Sequence, residues 1–350
     1  MKKLALLLIT VILFTSAASG LEIKDGRMKL VVDEKSGRFS LQYLSDITKS
    51  RYVPFLYDEE TRTTYATLSF DQKTYKLGEA SEFRVSVAKE ASGGVRIEYR
   101  SSFCVVRQTF TFVTSPGAPM SDGVALEYRI ENVSQKDTPI GLRILFDTWL
   151  GEKIQTHFTA QSAGPLAGEI ALSGDYTDSW IRSSEIAGGA SDATTLQFQL
   201  SSPATKPDKV LAANWKRLSD AAWTFDASSS RNFTLLPYSI NDSAVALYFD
   251  PAIIRPGSTR NVVAILSQAN DGYPSASASA SATVEPSGTP LVITAPAVTA
   301  PLDEMIDLVA VRDVLDAINA AIESGTIPSA AELEAMDSIV RQLETRKAKY

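Results

Sequence analysis

The chain has 350 residues, of which 44% are hydrophobic and 21% are charged, a composition typical of a folded protein rather than a disordered one. Its 41 acidic residues outnumber its 34 basic ones, giving a formal net charge of -7. An acidic chain without a concentrated basic patch excludes nucleic acid as an expected partner. The single cysteine, Cys104, cannot form a disulfide within the chain, and we expect it to be a small buried hydrophobe.

The first 20 residues have the three parts of a secretory signal peptide. Lys2 and Lys3 form a basic start, residues 4–14 are an apolar run, and residues 16–20 are small. A membrane-spanning helix needs roughly 20 apolar residues, so the sequence favours cleavage over an uncleaved anchor and predicts no membrane span afterwards. Removing the two lysines leaves 32 basic against 41 acidic residues, a net charge of -9. We therefore expect a periplasmic or secreted protein.

Residues 21–272 carry the pattern of an antiparallel β protein, with short alternating runs separated by glycine, asparagine, aspartate and proline. Leu126, Tyr128 and Ile130 alternate with charged residues, as in a strand with one face on a core. After a polar turn, residues 140–149 form a more continuously apolar run, which is typical of a strand buried on both faces. Because no helical periodicity intervenes, the sequence predicts a mainly β, large antiparallel two-sheet sandwich and excludes a parallel α/β fold.

Three stretches of this region carry a family resemblance. They are LEIKDGRMKLVVDEKSGRFSLQYL, VALEYRIENVSQKDTPIGLRILFDTWLGE and LPYSINDSAVALYFDP. Together they resemble the β-supersandwich of galactose-mutarotase-like and related carbohydrate-binding domains, over residues 21–270 and in an exported bacterial version. In sugar mutarotases a histidine and a carboxylate act as acid and base. His157 is the only histidine here and no carboxylate matches the second role, so the resemblance implies sugar recognition more strongly than mutarotase catalysis.

The candidate polar site lies just beyond the second strand of this central stretch. Asp147, Glu152 and His157 are spaced five residues apart, and Gly151 breaks the strand between them. A loop there would bring together two carboxylates and an imidazole, the groups that acid–base catalysis or metal binding requires. The alternative gives each an ordinary structural role, with Asp147 at a turn, Glu152 in solvent and His157 at a strand edge. The sequence favours this alternative, so we predict no catalytic residue, no metal ligand and no cofactor.

The residue types in the chain also limit which metal ions it could bind. One histidine and one cysteine in the whole chain disfavour zinc. A calcium site built from carboxylates stays open, although no EF-hand-like loop is present.

The tryptophans offer the stronger argument for ligand binding, because the apolar C–H faces of sugar rings stack on flat aromatic side chains. Trp180 lies in the loop-rich residues 159–193, Trp149 ends the predicted strand 140–149, and Trp215 follows the predicted strand 209–214. These three are the predicted ligand-binding residues. Burial in the core is the alternative for each, and it is the commoner role of tryptophan in a sandwich.

The C-terminal part changes character. Residues 273–301 are rich in serine, alanine and proline, as in a linker. Residues 302–350 predict an antiparallel helical hairpin, because apolar residues recur at steps of three and four. The two apolar stripes are Leu308, Val311, Leu315, Ile318 and Ile322, then Leu333, Met336, Val340 and Leu343. Two short helices bury little area alone, so we expect them to dock on the sandwich, a second copy or a partner protein.

These patterns predict an exported, non-catalytic binding or structural protein. Its sandwich would recognise carbohydrate or an envelope partner, and its helical tail would dock or self-associate. The alternative is a sugar-active enzyme of mutarotase-like type, using His157 with Asp147 or Glu152 as acid and base. A purely structural role in an envelope assembly has the same sequence signature as the first interpretation.

Overall fold

The computed structural model describes residues 20–154, 156–186, 193–270 and 275–276. Residues 1–19 of the predicted signal peptide, most of the predicted linker and the predicted helical hairpin lie outside the described residues. No helix within the described ranges is long and apolar enough to cross a membrane.

Strands dominate the described ranges, with one short α-helix and two 3₁₀ turns. The strands are β1 (Gly20–Asp25), β2 (Met28–Asp33), β3 (Phe39–Asp46), β4 (Arg51–Pro54), β5 (Tyr65–Phe70), β6 (Lys73–Lys76), β7 (Arg84–Lys89), β8 (Val95–Arg100), β9 (Cys104–Thr114), β10 (Gly123–Asn132), β11 (Thr138–Asp147), β12 (Thr159–Ala160), β13 (Gly164–Pro165), β14 (Ile170–Ser173), β15 (Trp180–Ser184), β16 (Thr195–Gln199), β17 (Lys209–Asn214), β18 (Ser243–Ile254), β19 (Thr259–Gln268) and β20 (Ser275–Ala276). The helix α1 is Trp215–Asp220, and the 3₁₀ turns are Thr61–Thr63 and Leu150–Lys153.

Within the described residues these strands form three antiparallel sheets. The N-terminal sheet has the order β1-β2-β3-β4, and the six-stranded sheet has the order β14-β17-β18-β11-β5-β6. The ten-stranded sheet runs β13-β12-β15-β16-β19-β10-β9-β8-β7, with β20 beside β9. The predicted mainly β, antiparallel architecture is confirmed. The predicted division into two sheets is corrected to three, because β1 to β4 form successive hairpins that pair with one another and not with the larger sheets.

The central strands behave individually as predicted but belong to different sheets. In β10, Leu126, Tyr128 and Ile130 are fully buried, whereas Glu127 and Arg129 are exposed. β10 lies between β9 and β19 in the ten-stranded sheet, and β11 lies between β5 and β18 in the six-stranded sheet. The connection between β10 and β11 therefore passes from one sheet to the other, across the main core.

β11 is buried along almost its whole length because each of its faces meets a core. Leu142 and Ile144 contribute to the main core between the sheets. Leu145 lies in a second apolar cluster, which residues from Trp215 to Ala227 help to cover. The fully buried Arg143 donates hydrogen bonds to the carbonyl oxygens of Leu218 at 2.9 Å and Ala221 at 2.6 Å, so it ties the end of α1 to the sheet and satisfies acceptors that a helix end leaves free.

Cys104 is fully buried at the start of β9. Burial raises the pKa of its thiol to about 12. A thiol that stays protonated at neutral pH is a poor nucleophile, so the predicted role of Cys104 as a small buried hydrophobe agrees with its place in the main core.

Candidate functional site

Three carboxyl groups meet at one end of the six-stranded sheet. Asp147 is the last residue of β11, Glu152 lies in the 3₁₀ turn Leu150–Lys153, and Asp242 immediately precedes β18. One carboxylate oxygen from each side chain lies within 4.8 Å of the others. The antiparallel register explains the meeting, because Asp147 at the end of β11 is opposite Ala244 at the start of β18. We refer to Asp147, Glu152 and Asp242 as the carboxyl cluster.

The turn that carries Glu152 requires a glycine. A Cβ on Gly151 would lie 2.3 Å from the carbonyl oxygen of His157 and 2.5 Å from its Cα, closer than packing allows. The backbone N–H of Gly151 donates to Oγ of Ser183 at 3.1 Å. Glu152 then points back to β18, where its Oε1 accepts the backbone N–H of Ser243 at 2.9 Å. The close packing at Gly151 therefore sets the direction of the Glu152 side chain.

Backbone hydrogen bonds hold Asp242 in position. Asp242 donates its N–H to the carbonyl oxygen of Phe233 at 3.0 Å. Its own carbonyl oxygen accepts from the fully buried Asn214 side chain at 3.0 Å and from the backbone N–H of Trp215 at 3.2 Å. Asp242 is thus anchored between the end of β17 and the start of β18, on well-satisfied backbone groups.

Burial raises the pKa of all three carboxyl groups. The pKa of Asp147 lies well above its usual range, mainly because the side chain is buried, although a hydrogen bond from Thr63 opposes this shift. Burial raises the pKa of Glu152 to about 9, with further contributions from the charges of Asp147 and Asp242, against the hydrogen bond from Ser243. Burial also raises the pKa of Asp242 to about 6, opposed by a hydrogen bond with Ser239. Without a bound cation, the cluster therefore holds protons at neutral pH.

This arrangement has two chemical capacities. Neighbouring carboxyl groups with different pKa values form an acid and a base, since Glu152 keeps its proton where Asp242 loses one. The same oxygens are ligands that a hard divalent cation prefers. Calcium takes about six to eight oxygen ligands, so the cluster would supply part of a coordination sphere, and backbone or ligand oxygens would supply the rest.

His157 lies outside the carboxyl cluster. It is 3% exposed, its ring is 4.4 Å from the ring of Phe233, and its Nδ1 has no hydrogen-bond partner among the described residues. Burial lowers the pKa of His157 to about 4, so the imidazole is neutral at pH 7. Of the three residues that the sequence spacing groups, the structure brings together Asp147 and Glu152, and Asp242 completes the group instead of His157.

Sequence reasoning missed Asp242. It lies 95 residues after Asp147 in the chain, and only the pairing of β11 with β18 brings the two together. The available signal is an aspartate two residues before the apolar run of residues 244–249, which is a common pattern at the start of any strand.

Two of the three predicted tryptophans adjoin the carboxyl cluster. Trp149 is half-buried, with its ring 5.7 Å from the ring of Tyr57 and 4.8 Å from Nζ of Lys153. The backbone N–H of Tyr57 in turn donates to the carbonyl oxygen of Asp147 at 3.0 Å. Both aromatic side chains therefore flank the residue at which β11 ends.

Trp215 begins α1 on the other side of the cluster. Its indole N–H donates to the carbonyl oxygen of Thr63 at 3.0 Å, and its backbone N–H donates to Asp242. Trp180, by contrast, lies on β15 in the ten-stranded sheet, with the Arg182 guanidinium 4.0 Å above its ring. The contacts of Trp180 are thus with Arg182 and, across the sheet, with Gln199, whereas Ser183 on the same strand contacts Gly151 of the turn that carries Glu152.

No family model matches the chain, and no curated protein does. Among solved structures, the chain is similar to a galactose mutarotase-like protein from Lactobacillus casei, with 11% identity, a TM-score of 0.43, and coverage of 71% of this chain and 99% of that one. It is also similar to a galactose mutarotase related enzyme from Lactobacillus acidophilus, with 10% identity, a TM-score of 0.41, and coverage of 72% and 99%. A galactose mutarotase-like protein from Clostridium acetobutylicum gives 11% identity, a TM-score of 0.40, and coverage of 73% and 95%. The predicted resemblance is thus confirmed as a weak one.

Proposed function

We propose that the protein is an exported binding protein that recognises carbohydrate at the carboxyl cluster. The observation that carries this proposal is the meeting of Asp147, Glu152 and Asp242 within 4.8 Å, with the half-buried Trp149 and Trp215 beside them. Carboxyl groups next to exposed aromatic surface suit a ligand with hydroxyl groups and apolar C–H faces.

The protonation states support recognition of hydroxyl groups. A protonated Glu152 has one O–H to donate, and an ionised Asp242 accepts only. A sugar hydroxyl can donate and accept at once, so it can bridge these two carboxyl groups. Asp147 is 5% exposed, whereas Glu152 and Asp242 are more accessible, so these two would make the direct contacts.

The direct test is saccharide binding by the mature protein, measured by calorimetry across a panel of mono- and oligosaccharides. We expect Trp149→Ala to raise the Kd about tenfold or more, as the loss of an aromatic contact typically does. Trp180→Ala is the matched control, because Trp180 is also half-buried but its ring packs against the Arg182 guanidinium, whereas Trp149 is two residues from Asp147 in the chain. Equal losses in both variants, or a loss with Trp180→Ala alone, would contradict this placement of the site.

A second candidate function is a sugar-active enzyme. It is favoured by the proximity of Glu152 and Asp242, whose carboxyl oxygens lie within 4.8 Å. Burial raises the pKa of Glu152 to about 9 and that of Asp242 to about 6, which suits a general acid beside a general base. In this version Asp242 takes the role that the sequence assigned to His157. Anomeric exchange measured by NMR would then fall by at least about a hundredfold in Glu152→Gln. If the wild-type protein binds saccharides and changes none of them, the binding function alone stands.

Export is a separate part of the proposal and rests on residues 1–20. Cell fractionation with mass spectrometry of the mature N-terminus tests it. We expect the protein outside the cytoplasm with the lysine-containing start removed. A cytoplasmic protein that retains Lys2 and Lys3 would contradict it.

A further inference from the structure

A pocket of about 970 Å³ lies apart from the carboxyl cluster and shares no residue with it. It is formed by the turn after β3, the turn between β9 and β10, the end of β15 and the end of β19. Small-molecule sites usually have volumes of about 300–1,000 Å³. The size of this pocket is therefore at the upper end of that range.

One wall of the pocket combines a cation, a phenol and a carboxyl group. Arg27 donates from Nη1 to the Tyr43 hydroxyl at 3.4 Å, and its guanidinium is 5.7 Å from the Tyr43 ring. Asp122 is 5% exposed and accepts the backbone N–H of Ser115 at 2.8 Å. Burial raises the pKa of Asp122, and the hydrogen bonds from Ser115 oppose this shift more than the charge of Arg27 does. Arg27 and Asp122 thus give this wall of the lining one cation and one carboxyl group.

A second pair of opposite charges lines the pocket. Nη2 of Arg51 is 2.8 Å from Oε1 of Glu185, and both residues belong to the lining. Asp46, a third carboxylate in the lining, accepts from the Thr48 hydroxyl at 2.7 Å and from Lys49 in its own turn. The lining thus contains two arginines and three carboxyl groups. Because Arg51 is paired with Glu185 and Asp46 is paired with Lys49, the lining has no marked excess of either charge.

Charge balance selects against strongly charged ligands and favours neutral ligands rich in hydroxyl groups. Guanidinium groups only donate hydrogen bonds and ionised carboxylates only accept them, so adjacent hydroxyl groups can be bound from both sides. Ile47 and Ile186, which also line the pocket, are 50% and 49% exposed. They offer apolar contacts to C–H groups of the same ligand.

We propose that this pocket is a second saccharide site, which takes a neutral oligosaccharide. The ligand class rests on the proposed function, whereas the position rests on the pocket and its Arg51–Glu185 ion pair. The volume exceeds that of a single sugar ring, so an oligosaccharide fits better than a monosaccharide. The protein would then hold carbohydrate at two separate places.

The test uses the full mature chain and a panel of neutral tetrasaccharides, with a tetragalacturonate as the charged comparison. Arg51→Gln and Glu185→Gln remove the exposed pair, and we expect each to raise the Kd for the neutral ligand about tenfold, the loss expected for hydrogen bonds to a charged group. Arg100→Gln is the matched control, because the Arg100–Glu98 pair has the same 2.8 Å separation and lies outside the lining. Circular dichroism checks that all variants fold.

The outcomes separate this proposal from the proposed function. Binding that Arg51→Gln weakens, with Trp149→Ala leaving that component unchanged, supports the pocket site. Binding that only Trp149→Ala weakens overturns the pocket site and leaves the cluster site standing. Tighter binding of the tetragalacturonate than of the neutral ligands overturns the assignment of ligand class. If no saccharide binds to the wild-type protein, both proposals fail.

Discussion

Replacing Glu152 with glutamine tests the electrostatics of the carboxyl cluster. Glutamine resembles the protonated acid, and its Oε1 can still accept the backbone N–H of Ser243, as Glu152 does at 2.9 Å. In the folded protein the pKa of Glu152 is raised to about 9 from an ordinary value of 4.5. Folding therefore favours the protonated form of this side chain.

The sign of the pH dependence follows from linkage. A group whose folded pKa is raised contributes full stability below its unfolded pKa and loses this contribution as pH rises toward the folded pKa. As the pH rises from 4.5 to 7, the free energy of unfolding of the wild-type protein therefore falls by up to about 3 kcal/mol because of Glu152, at 1.36 kcal/mol per pH unit. Partial exposure of Glu152 reduces this figure. We thus expect Glu152→Gln to be more stable than the wild type at pH 7 by about 1–3 kcal/mol, and equally stable near pH 4.

The assay is urea denaturation at several pH values with a chelator present, and Glu34→Gln, at an exposed turn position, is the control. A variant that is less stable than the wild type at pH 7 in chelator would refute the reasoning. Repeating the series with Ca²⁺ distinguishes protons from a cation in the cluster. If Ca²⁺ binds there, it stabilises the wild type by mass action and reverses the order of the two proteins.

Three further predictions concern the surroundings of the site and the C-terminal residues. Burial lowers the pKa of His157 to about 4 from 6.5, so the free energy of unfolding should fall by up to about 3 kcal/mol as the pH is lowered from 6.5 to 4. In a His157→Phe variant the free energy of unfolding should depend less on pH in that range. An unchanged pH dependence would contradict this role of His157. Gly151→Ala should lower the free energy of unfolding by about 1–3 kcal/mol, because the added Cβ would lie 2.3 Å from the His157 backbone. If thermal denaturation shows that the variant is as stable as the wild type, the turn can shift to accommodate the Cβ and this prediction is wrong. Deleting residues 302–350 should change the oligomeric mass or the set of captured partners while the near-UV circular dichroism of the sandwich is kept, and an identical mass and pull-down profile would argue against a docking tail.

Local patterns in the sequence predict the strands well, and longer-range pairings explain what they miss. The alternation of Leu126, Tyr128 and Ile130 is enough to predict the buried face of β10, because the period of a strand is fixed by its backbone. It does not reveal that β10 and β11 join different sheets, since both strands are compatible with several partners. The separate N-terminal sheet cannot be predicted for the same reason. The sequence pattern of a hairpin does not show whether its outer strands pair with the strands of a larger sheet.

The candidate site follows the same division. Asp147 and Glu152 are close in sequence, so a turn at Gly151 offers the hypothesis that they meet, although the interpretation that the sequence favours leaves Glu152 in solvent. Asp242 joins them only through the β11–β18 register, and no local pattern encodes that pairing. Spacing alone groups His157 with these two residues. In the structure its backbone packs against Gly151 and its ring packs against Phe233, so its side chain is not part of the carboxyl cluster. Residues that meet through the pairing of strands distant in sequence can therefore be grouped only from the three-dimensional fold.

The most direct test of carbohydrate recognition at the carboxyl cluster is a crystal structure of the mature protein with a saccharide that binds it in solution. We expect a sugar ring against Trp149 or Trp215, with hydroxyl groups within about 3 Å of the carboxyl oxygens of Glu152 and Asp242. A ligand that lies elsewhere and leaves the carboxyl cluster without contact would contradict it.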